Sequence, residues 1–189
     1  PPVSPPRNLT GYSTRIAFRQ MFGAEGYEVV AINDLTSPKM LAHLLKYDSS
    51  QGTYEKAATV KAGEDSITVY GQEIKIYAFP DANNCPWGEI GVDVVLECSG
   101  FYTSKEKAQA HINAGAKKVV ISAPAGNDLP TVVYNTNHTV LKPEDTIISA
   151  ASCTTNCLAP MADALNKYAP IQSGIMCTIH PYTGDQMTL

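Results

Sequence analysis

Apolar positions follow two patterns along most of the chain, which are short continuous runs and helical spacing. Short apolar runs typical of buried strands occur at 92–97, 118–122 and 146–148. After the last run, the apolar residues from Leu158 to Leu165 recur at i, i+3, i+4 and i+7, which is helical spacing. Strands that alternate with helices indicate an α/β fold with a doubly wound, mainly parallel sheet.

Trp87 is expected to be a packing residue and His111 a surface residue of a helix.

The same pattern predicts the remaining elements. Helical spacing predicts helices at 12–23, 37–45 and 103–113, the last capped by Thr103. Alternating or apolar runs predict strands at 28–32, 58–61, 66–70, 73–77, 131–134 and 171–179, of which 58–77 form an antiparallel insertion.

The stretch 149–157 holds the strongest candidate for chemistry. Cys153 follows a predicted strand and opens a predicted helix, with Ser152 in the N-cap position. The first turn of a helix carries partial positive charge and free backbone N–H groups, which favour a thiolate over a thiol. We therefore predict that Cys153 is a reactive thiol.

His180 is the candidate partner of this thiol. It stands at the end of the predicted strand 171–179, which returns toward the start of the helix at Cys153. A cysteine with a histidine is a pair for covalent catalysis, in which the thiolate attacks and the imidazole moves protons. A buried helical cysteine beside an unrelated strand-end histidine is the alternative, and spacing does not decide between them.

Several separated motifs resemble one family. They are Ser-Cys-Thr-Thr-Asn-Cys-Leu-Ala-Pro at 152–160 and Thr-Ile-His-Pro-Tyr-Thr-Gly-Asp-Gln at 178–186, with further similarity at 31–35, 44–49 and 120–124. These residues resemble the phosphorylating, NAD-dependent glyceraldehyde-3-phosphate dehydrogenases over roughly positions 15–189. The resemblance implies a Rossmann-type nucleotide-binding sheet, followed by the first helix and strand of an α+β catalytic domain.

The resemblance also implies roles for the candidate residues. Cys153 is the nucleophile that forms a thioester with glyceraldehyde 3-phosphate, and His180 is the base. Ser152 and Thr154 match the family's site for inorganic phosphate. Thr183 and Asp185 match its site for the substrate phosphate.

NAD is the implied cofactor, and an acidic residue after a strand supports it independently. An acid such as Asp34 at the end of the second Rossmann strand accepts the ribose hydroxyls of NAD and repels the 2′-phosphate of NADP. An Asx turn without a ligand is the alternative for this residue. By resemblance the cofactor-binding residues are Gly11, Asn33, Asp34, Ser99, Gly100 and Ser122.

Two domains are expected. Residues 1–151 form the NAD-binding domain, and residues 152–189 form the beginning of a truncated catalytic domain. Residues 1–14 depart from the family, because four of the first six residues are prolines and the phosphate loop at 8–14 keeps only Asn8 and Gly11 of its signature. Proline lacks the N–H donor that a central strand needs.

Composition narrows the partners and the compartment. A net charge of −4 without a basic run argues against a nucleic-acid surface, and no apolar stretch has the length of a membrane span. The five cysteines are an odd number without scaffold spacing, so we expect free thiols in the cytoplasm. Cys153 and Cys157 lack a second pair of ligands, so no metal site is expected.

Two functions of different class follow from the sequence. One is a glycolytic dehydrogenase that converts glyceraldehyde 3-phosphate and phosphate to 1,3-bisphosphoglycerate, in a family whose members are homotetramers. The other is an inactive family fragment that binds nucleotide weakly or associates with proteins.

Overall fold

The computed structural model of the chain describes residues 12–26 and 28–181. Within these ranges the chain forms four α-helices, which are α1 (Tyr12–Met21), α2 (Pro38–Lys46), α3 (Lys105–Asn113) and α4 (Cys153–Tyr168). The strands are β1 (Ala31–Asn33), β2 (Lys61–Ala62), β3 (Ser66–Val69), β4 (Gln72–Tyr77), β5 (Val94–Glu97), β6 (Lys118–Ile121) and β7 (Ile147–Ser149). The predicted α/β class is confirmed.

The first sheet has the strand order β1-β4-β3-β2. Strands β1 and β4 are parallel, whereas β2, β3 and β4 form the predicted antiparallel insertion. The predicted first strand of the insertion, 58–61, was wrong, since Ala57–Thr59 is a 3-10 helix and β2 covers only two residues. Apolar side chains of α1 and α2 cover one face of this sheet, where they pack against Ile67 and Ile74.

The second sheet is parallel throughout and has the order β5-β6-β7. Helix α3 packs on it through Ala108, which is fully buried with Val119 and Ile121. Ser104 caps α3 by accepting the Lys107 N–H at 3.2 Å, so the predicted cap at Thr103 was wrong. The predicted strand 131–134 was wrong too, because only Thr131 forms an isolated bridge, to Ser149.

A single continuous sheet was expected, and the described residues form two. Strands β1 and β5 each end a sheet, and no strand of the described ranges lies between them. Strand β1 is also shorter than the predicted 28–32 and only partly buried, because a single neighbour covers it. A third apolar cluster around Trp87 connects the two sheets through Ala31 of β1 and Val95 of β5.

Helix α4 follows β7 as predicted, but the strand expected after it is absent. Residues 170–181 have no regular secondary structure and are exposed. An alternating sequence forms a strand only where a neighbour pairs with its backbone, and no described residue provides one here. In the part of the chain that is described, no helix has the length and apolar character needed to cross a membrane.

Candidate active site

The junction between β7 and α4 presents Cys153 at the first position of the helix. The hydroxyl of Ser152 accepts the Thr155 N–H at 3.0 Å, which confirms the predicted N-cap. The side-chain amide of Asn156 donates back to the carbonyls of Ala150 and Ser152, at 2.7 and 2.9 Å. These bonds fix the first turn of α4 while Cys153 stays exposed.

A buried serine holds the backbone just before this turn. The Ser149 hydroxyl donates to the Ala123 carbonyl at 2.7 Å and accepts the Ala151 N–H at 3.0 Å. Ala151 has a φ of 63°, which is the left-handed region that costs a residue with a Cβ roughly 1–2 kcal/mol. The Ser149 hydroxyl therefore connects the strained link at Ala151 to the loop after β6. This connection sets the direction in which α4 leaves the sheet.

The structure brings Cys153 and His180 together. The Sγ of Cys153 lies 3.2 Å from the Nε2 of His180, although residues 170–181 form no strand. The Nδ1 of His180 donates to the carbonyl of Pro181, since a carbonyl oxygen only accepts. The second proton of an imidazolium would then lie on Nε2, facing the sulfur.

The electrostatics of this pair favour a thiolate. The hydrogen bond from His180 has the largest effect and lowers the pKa of the Cys153 thiol. Burial opposes it with a smaller effect, and two bonds from Thr154 lower the pKa further. The Pro181 carbonyl and the Cys153 sulfur both raise the pKa of His180. In contrast, burial raises the pKa of Cys85 to about 11. Cys153 is therefore the thiol with the features of a nucleophile.

The phosphate-binding candidates are only partly described. The Ser152 hydroxyl already caps α4 and lies 2.8 Å from the Thr155 hydroxyl. Thr154 is half-buried beside the sulfur. Thr183 and Asp185 lie outside the described residues.

Asp34 is fully buried at the end of β1. Its Oδ1 accepts the Thr36 N–H at 2.8 Å, which is the Asx turn of the alternative interpretation. Its Oδ2 is buried without a hydrogen-bond partner, and burial raises the pKa of the carboxyl group. An oxygen without a donor in this position fits a ribose hydroxyl, so the structure contains a feature for each interpretation.

The other cofactor candidates lie at the carboxyl ends of strands. Asn33 exchanges two hydrogen bonds with the backbone of Phe79, at 2.9 and 3.0 Å. Gly100 has a φ of 75° and open space where a Cβ would stand. Ser122 follows β6 and is exposed, and its N–H donates to the Glu97 carbonyl at 2.9 Å. Gly11 lies outside the described residues.

A cavity of about 200 Å³ brings Asn33 and Ser99 together between the open edges of β1 and β5. Its walls contain no residue from 149–181, so this cavity does not unite the cofactor candidates with Cys153. No group of three or more His, Cys, Asp or Glu side chains in the described ranges is placed to hold a metal ion.

A buried polar chain beside the cavity was missed, because His111 was expected on the surface. That prediction was wrong, since His111 is 4% exposed and Glu97, its partner at the end of β5, is 5% exposed. The two residues are joined by a bond of 2.7 Å between Nε2 and Oε2. The helical spacing of Ala108, His111 and Ile112 is a signal that His111 lies on the buried face of α3.

Comparison with known proteins places both halves of the chain in one family. Residues 9–105 match the NAD-binding domain of glyceraldehyde 3-phosphate dehydrogenase, and residues 152–189 match the C-terminal domain. The chain is 60% identical over 182 residues to the glyceraldehyde-3-phosphate dehydrogenase of Clostridium pasteurianum, covering 96% of this chain and 54% of that protein. The protein of that name from Lactobacillus delbrueckii subsp. bulgaricus is 59% identical over 187 residues, covering 96% and 55%. The chain thus spans about half the length of these relatives.

Proposed function

The chain belongs to the glyceraldehyde 3-phosphate dehydrogenase family, and we propose that it takes part in that family's reaction. The reaction oxidises glyceraldehyde 3-phosphate with inorganic phosphate and NAD to give 1,3-bisphosphoglycerate. The observation that carries the proposal is the 3.2 Å approach of the His180 Nε2 to the Cys153 Sγ at the N-terminus of α4.

The first step is attack by the Cys153 thiolate on the aldehyde carbon. A carbon–sulfur bond forms, and the carbonyl oxygen takes the proton of the His180 imidazolium to give a thiohemiacetal. The proposed cofactor, NAD, would supply the acceptor for the hydride of this adduct. His180 takes the hydroxyl proton back as the hydride leaves, so that a thioester remains on Cys153.

The second step releases the acyl group. An oxygen of inorganic phosphate attacks the thioester carbon, and the sulfur leaves as the thiolate that began the cycle. The pKa of Cys153, lowered by His180 and Thr154, makes the sulfur a good leaving group as well as a populated nucleophile at neutral pH. Ser152 and Thr154 are proposed to bind inorganic phosphate, and Thr183 and Asp185 the substrate phosphate.

For the cofactor, we propose that the buried Oδ2 of Asp34 accepts a ribose hydroxyl of NAD. Gly11, Asn33, Ser99, Gly100 and Ser122 complete the proposed contacts. A buried carboxylate at this position disfavours the 2′-phosphate of NADP by charge repulsion, which supports NAD as the preferred cofactor.

The compartment and the partners belong to the same proposal. Five free cysteines are typical of a reducing cytoplasm. The net charge of −4 argues against nucleic acid as a partner. Large apolar side chains exposed on α4, which are Met161, Leu165 and Tyr168, support association with further chains, in the family's case as a homotetramer.

Reduction of NAD in the presence of glyceraldehyde 3-phosphate and phosphate tests the function. We expect turnover that requires phosphate and is lost in Cys153→Ser. His180→Asn should lower the rate on the order of a hundredfold or more, which is the usual contribution of a general base. Cys157→Ser, on the same helix, is the matched control and should retain the activity. NAD binding without turnover in the unmodified chain would favour a nucleotide-binding module and contradict the proposal.

A further inference from the structure

Three side chains from three parts of the fold form one buried hydrogen-bonded chain. The indole Nε1 of Trp87 lies 3.1 Å from the Nδ1 of His111, and the Nε2 of His111 lies 2.7 Å from the Oε2 of Glu97. Trp87 precedes β5, Glu97 ends β5, and His111 lies in α3. All three residues are 5% exposed or less.

The donor and acceptor chemistry fixes the direction of this chain. An indole N–H only donates, so the Nδ1 of His111 is an acceptor and the ring proton lies on Nε2. That proton points to Glu97, which completes a run of two donations toward the carboxylate. In the other tautomer, with the proton on Nδ1, two donors would face each other at Trp87 and two acceptors at Glu97.

The second oxygen of Glu97 extends this series of hydrogen bonds to the turn after β5. Its Oε1 accepts the backbone N–H of Ser99 at 2.6 Å. Burial alone raises the pKa of Glu97, but the bonds from His111 and Ser99 outweigh that effect and hold the pKa below its ordinary value. An ionised carboxylate buried under a backbone N–H is a strong, directional anchor.

One further hydrogen bond lies within the anchored turn. The Ser99 hydroxyl accepts the Phe101 N–H at 3.1 Å, and Gly100 has a φ of 75° with open space around it. Ser99 lines the cavity at the carboxyl end of β5, as does Asn33 at the end of β1. Ligands of open α/β sheets bind at such strand ends.

We propose that Glu97 and His111 are positioning residues that set the Ser99–Gly100 turn from within the core, so that the turn is preformed for the cofactor. The identity of the ligand, NAD, rests on the proposed function, whereas the geometry of the turn does not. Trp87 acts through His111, because its indole N–H selects the ring nitrogen that donates to Glu97.

A set of matched variants separates positioning from general stability. His111→Gln offers an acceptor to Trp87 and a donor to Glu97, whereas His111→Leu offers neither. Glu97→Gln removes the charge and leaves one side-chain oxygen to accept from both the Ser99 N–H and the His111 Nε2. Val119→Ala creates a cavity at a fully buried apolar residue of β6 that takes part in none of these hydrogen bonds through its side chain, and it controls for lost stability.

Two readouts are measured on the folded 189-residue chain: amide and indole N–H resonances by NMR, and the NAD dissociation constant by calorimetry. The chain contains one tryptophan, so one indole resonance reports on the Trp87–His111 bond. We expect Glu97→Gln and His111→Leu to shift the Ser99 and Gly100 amides and to weaken NAD binding at least tenfold. His111→Gln should restore most of both, and Val119→Ala should change neither.

Unmoved Ser99 and Gly100 amides in Glu97→Gln would overturn the proposal. So would a loss of NAD binding no larger than that of Val119→Ala. If the unmodified chain binds no NAD, the proposed cofactor fails, while the amide shifts still decide whether Glu97 and His111 set the turn.

Discussion

At the scale of single residues, reactivity depends on a few hydrogen bonds around one sulfur. Cys153 combines an exposed position at a helix N-terminus with a histidine whose ring is oriented by the next carbonyl. Cys85 has neither feature and is buried. The same residue type therefore has a lowered pKa at Cys153 and a raised pKa at Cys85, according to its surroundings.

Alkylation by limiting iodoacetamide tests the Cys153–His180 bond. The thiolate is the reactive form, and the pKa of Cys153 is lowered, so the labelling rate should reach half of its maximum at a pH below the usual value for a thiol. His180→Asn should move this midpoint to higher pH and slow labelling at neutral pH. Peptide mapping identifies the labelled thiol. Faster labelling of Cys157 than of Cys153, or an unchanged midpoint in the variant, would contradict this account.

The buried Glu97 predicts a defined acid dependence of stability. Because its pKa is lowered in the folded state, its contribution is complete above the unfolded value of about 4.5 and is lost as the pH falls through the lower folded value. Urea unfolding at several pH values should therefore show a steeper acid loss of unfolding free energy in the wild type than in Glu97→Gln. Asp48, Asp81 and Glu55, whose pKa values are also lowered, contribute equally to both proteins and cancel in the difference. Parallel pH curves would contradict the ionised state of Glu97.

At the scale of elements, the link between β7 and α4 decides where Cys153 lies. Ser149 is fully buried, and its hydroxyl satisfies a carbonyl of one loop and an N–H of another. The link also holds Ala151 in the left-handed region. Helix α4 itself buries no residue, so its direction depends on this link more than on packing of the helix face.

Ser149→Ala should both destabilise the protein and misplace the nucleophile. It removes a hydrogen-bond donor from the Ala123 carbonyl and leaves the Ala151 N–H buried without its partner, which costs roughly 1–3 kcal/mol of unfolding free energy. The rate of Cys153 alkylation should fall as well. Ser122→Ala, at the exposed end of the adjacent strand, is the control and should stay within about 0.5 kcal/mol of the wild type. A Ser149→Ala protein with wild-type stability would show that other contacts hold this link.

Local signals in the sequence predicted these elements well where the chemistry is local. The cap at Ser152 and the strand-to-helix position of Cys153 depend on neighbours along the chain. The strand at 171–179 was wrong because pairing depends on a distant partner strand. His111 was missed because its partners, Trp87 and Glu97, lie 24 and 14 residues away. The approach of His180 to Cys153 was expected, although a strand does not deliver it.

At the scale of the whole molecule, the proposed catalytic pair lies outside the cavity that Asn33 and Ser99 line. Cys153 opens the helix that follows β7 of the second sheet, whereas the cavity with Asn33 and Ser99 lies between the open edges of the two sheets. The described part of the chain thus contains the proposed nucleophile with its proposed base and a separate cavity at strand ends. The proposed reaction joins the two by requiring a bound cofactor to reach the adduct on Cys153.

Trapping the acyl group on the sulfur tests the central claim most directly. The chain is incubated with glyceraldehyde 3-phosphate and NAD without phosphate, and the adduct is located by mass spectrometry with fragment ions that separate Cys153 from Cys157. We predict one acyl adduct per chain on Cys153, formed with one equivalent of reduced NAD and released by added phosphate. An adduct on another residue, or none in a chain that is shown to bind NAD, would contradict the account.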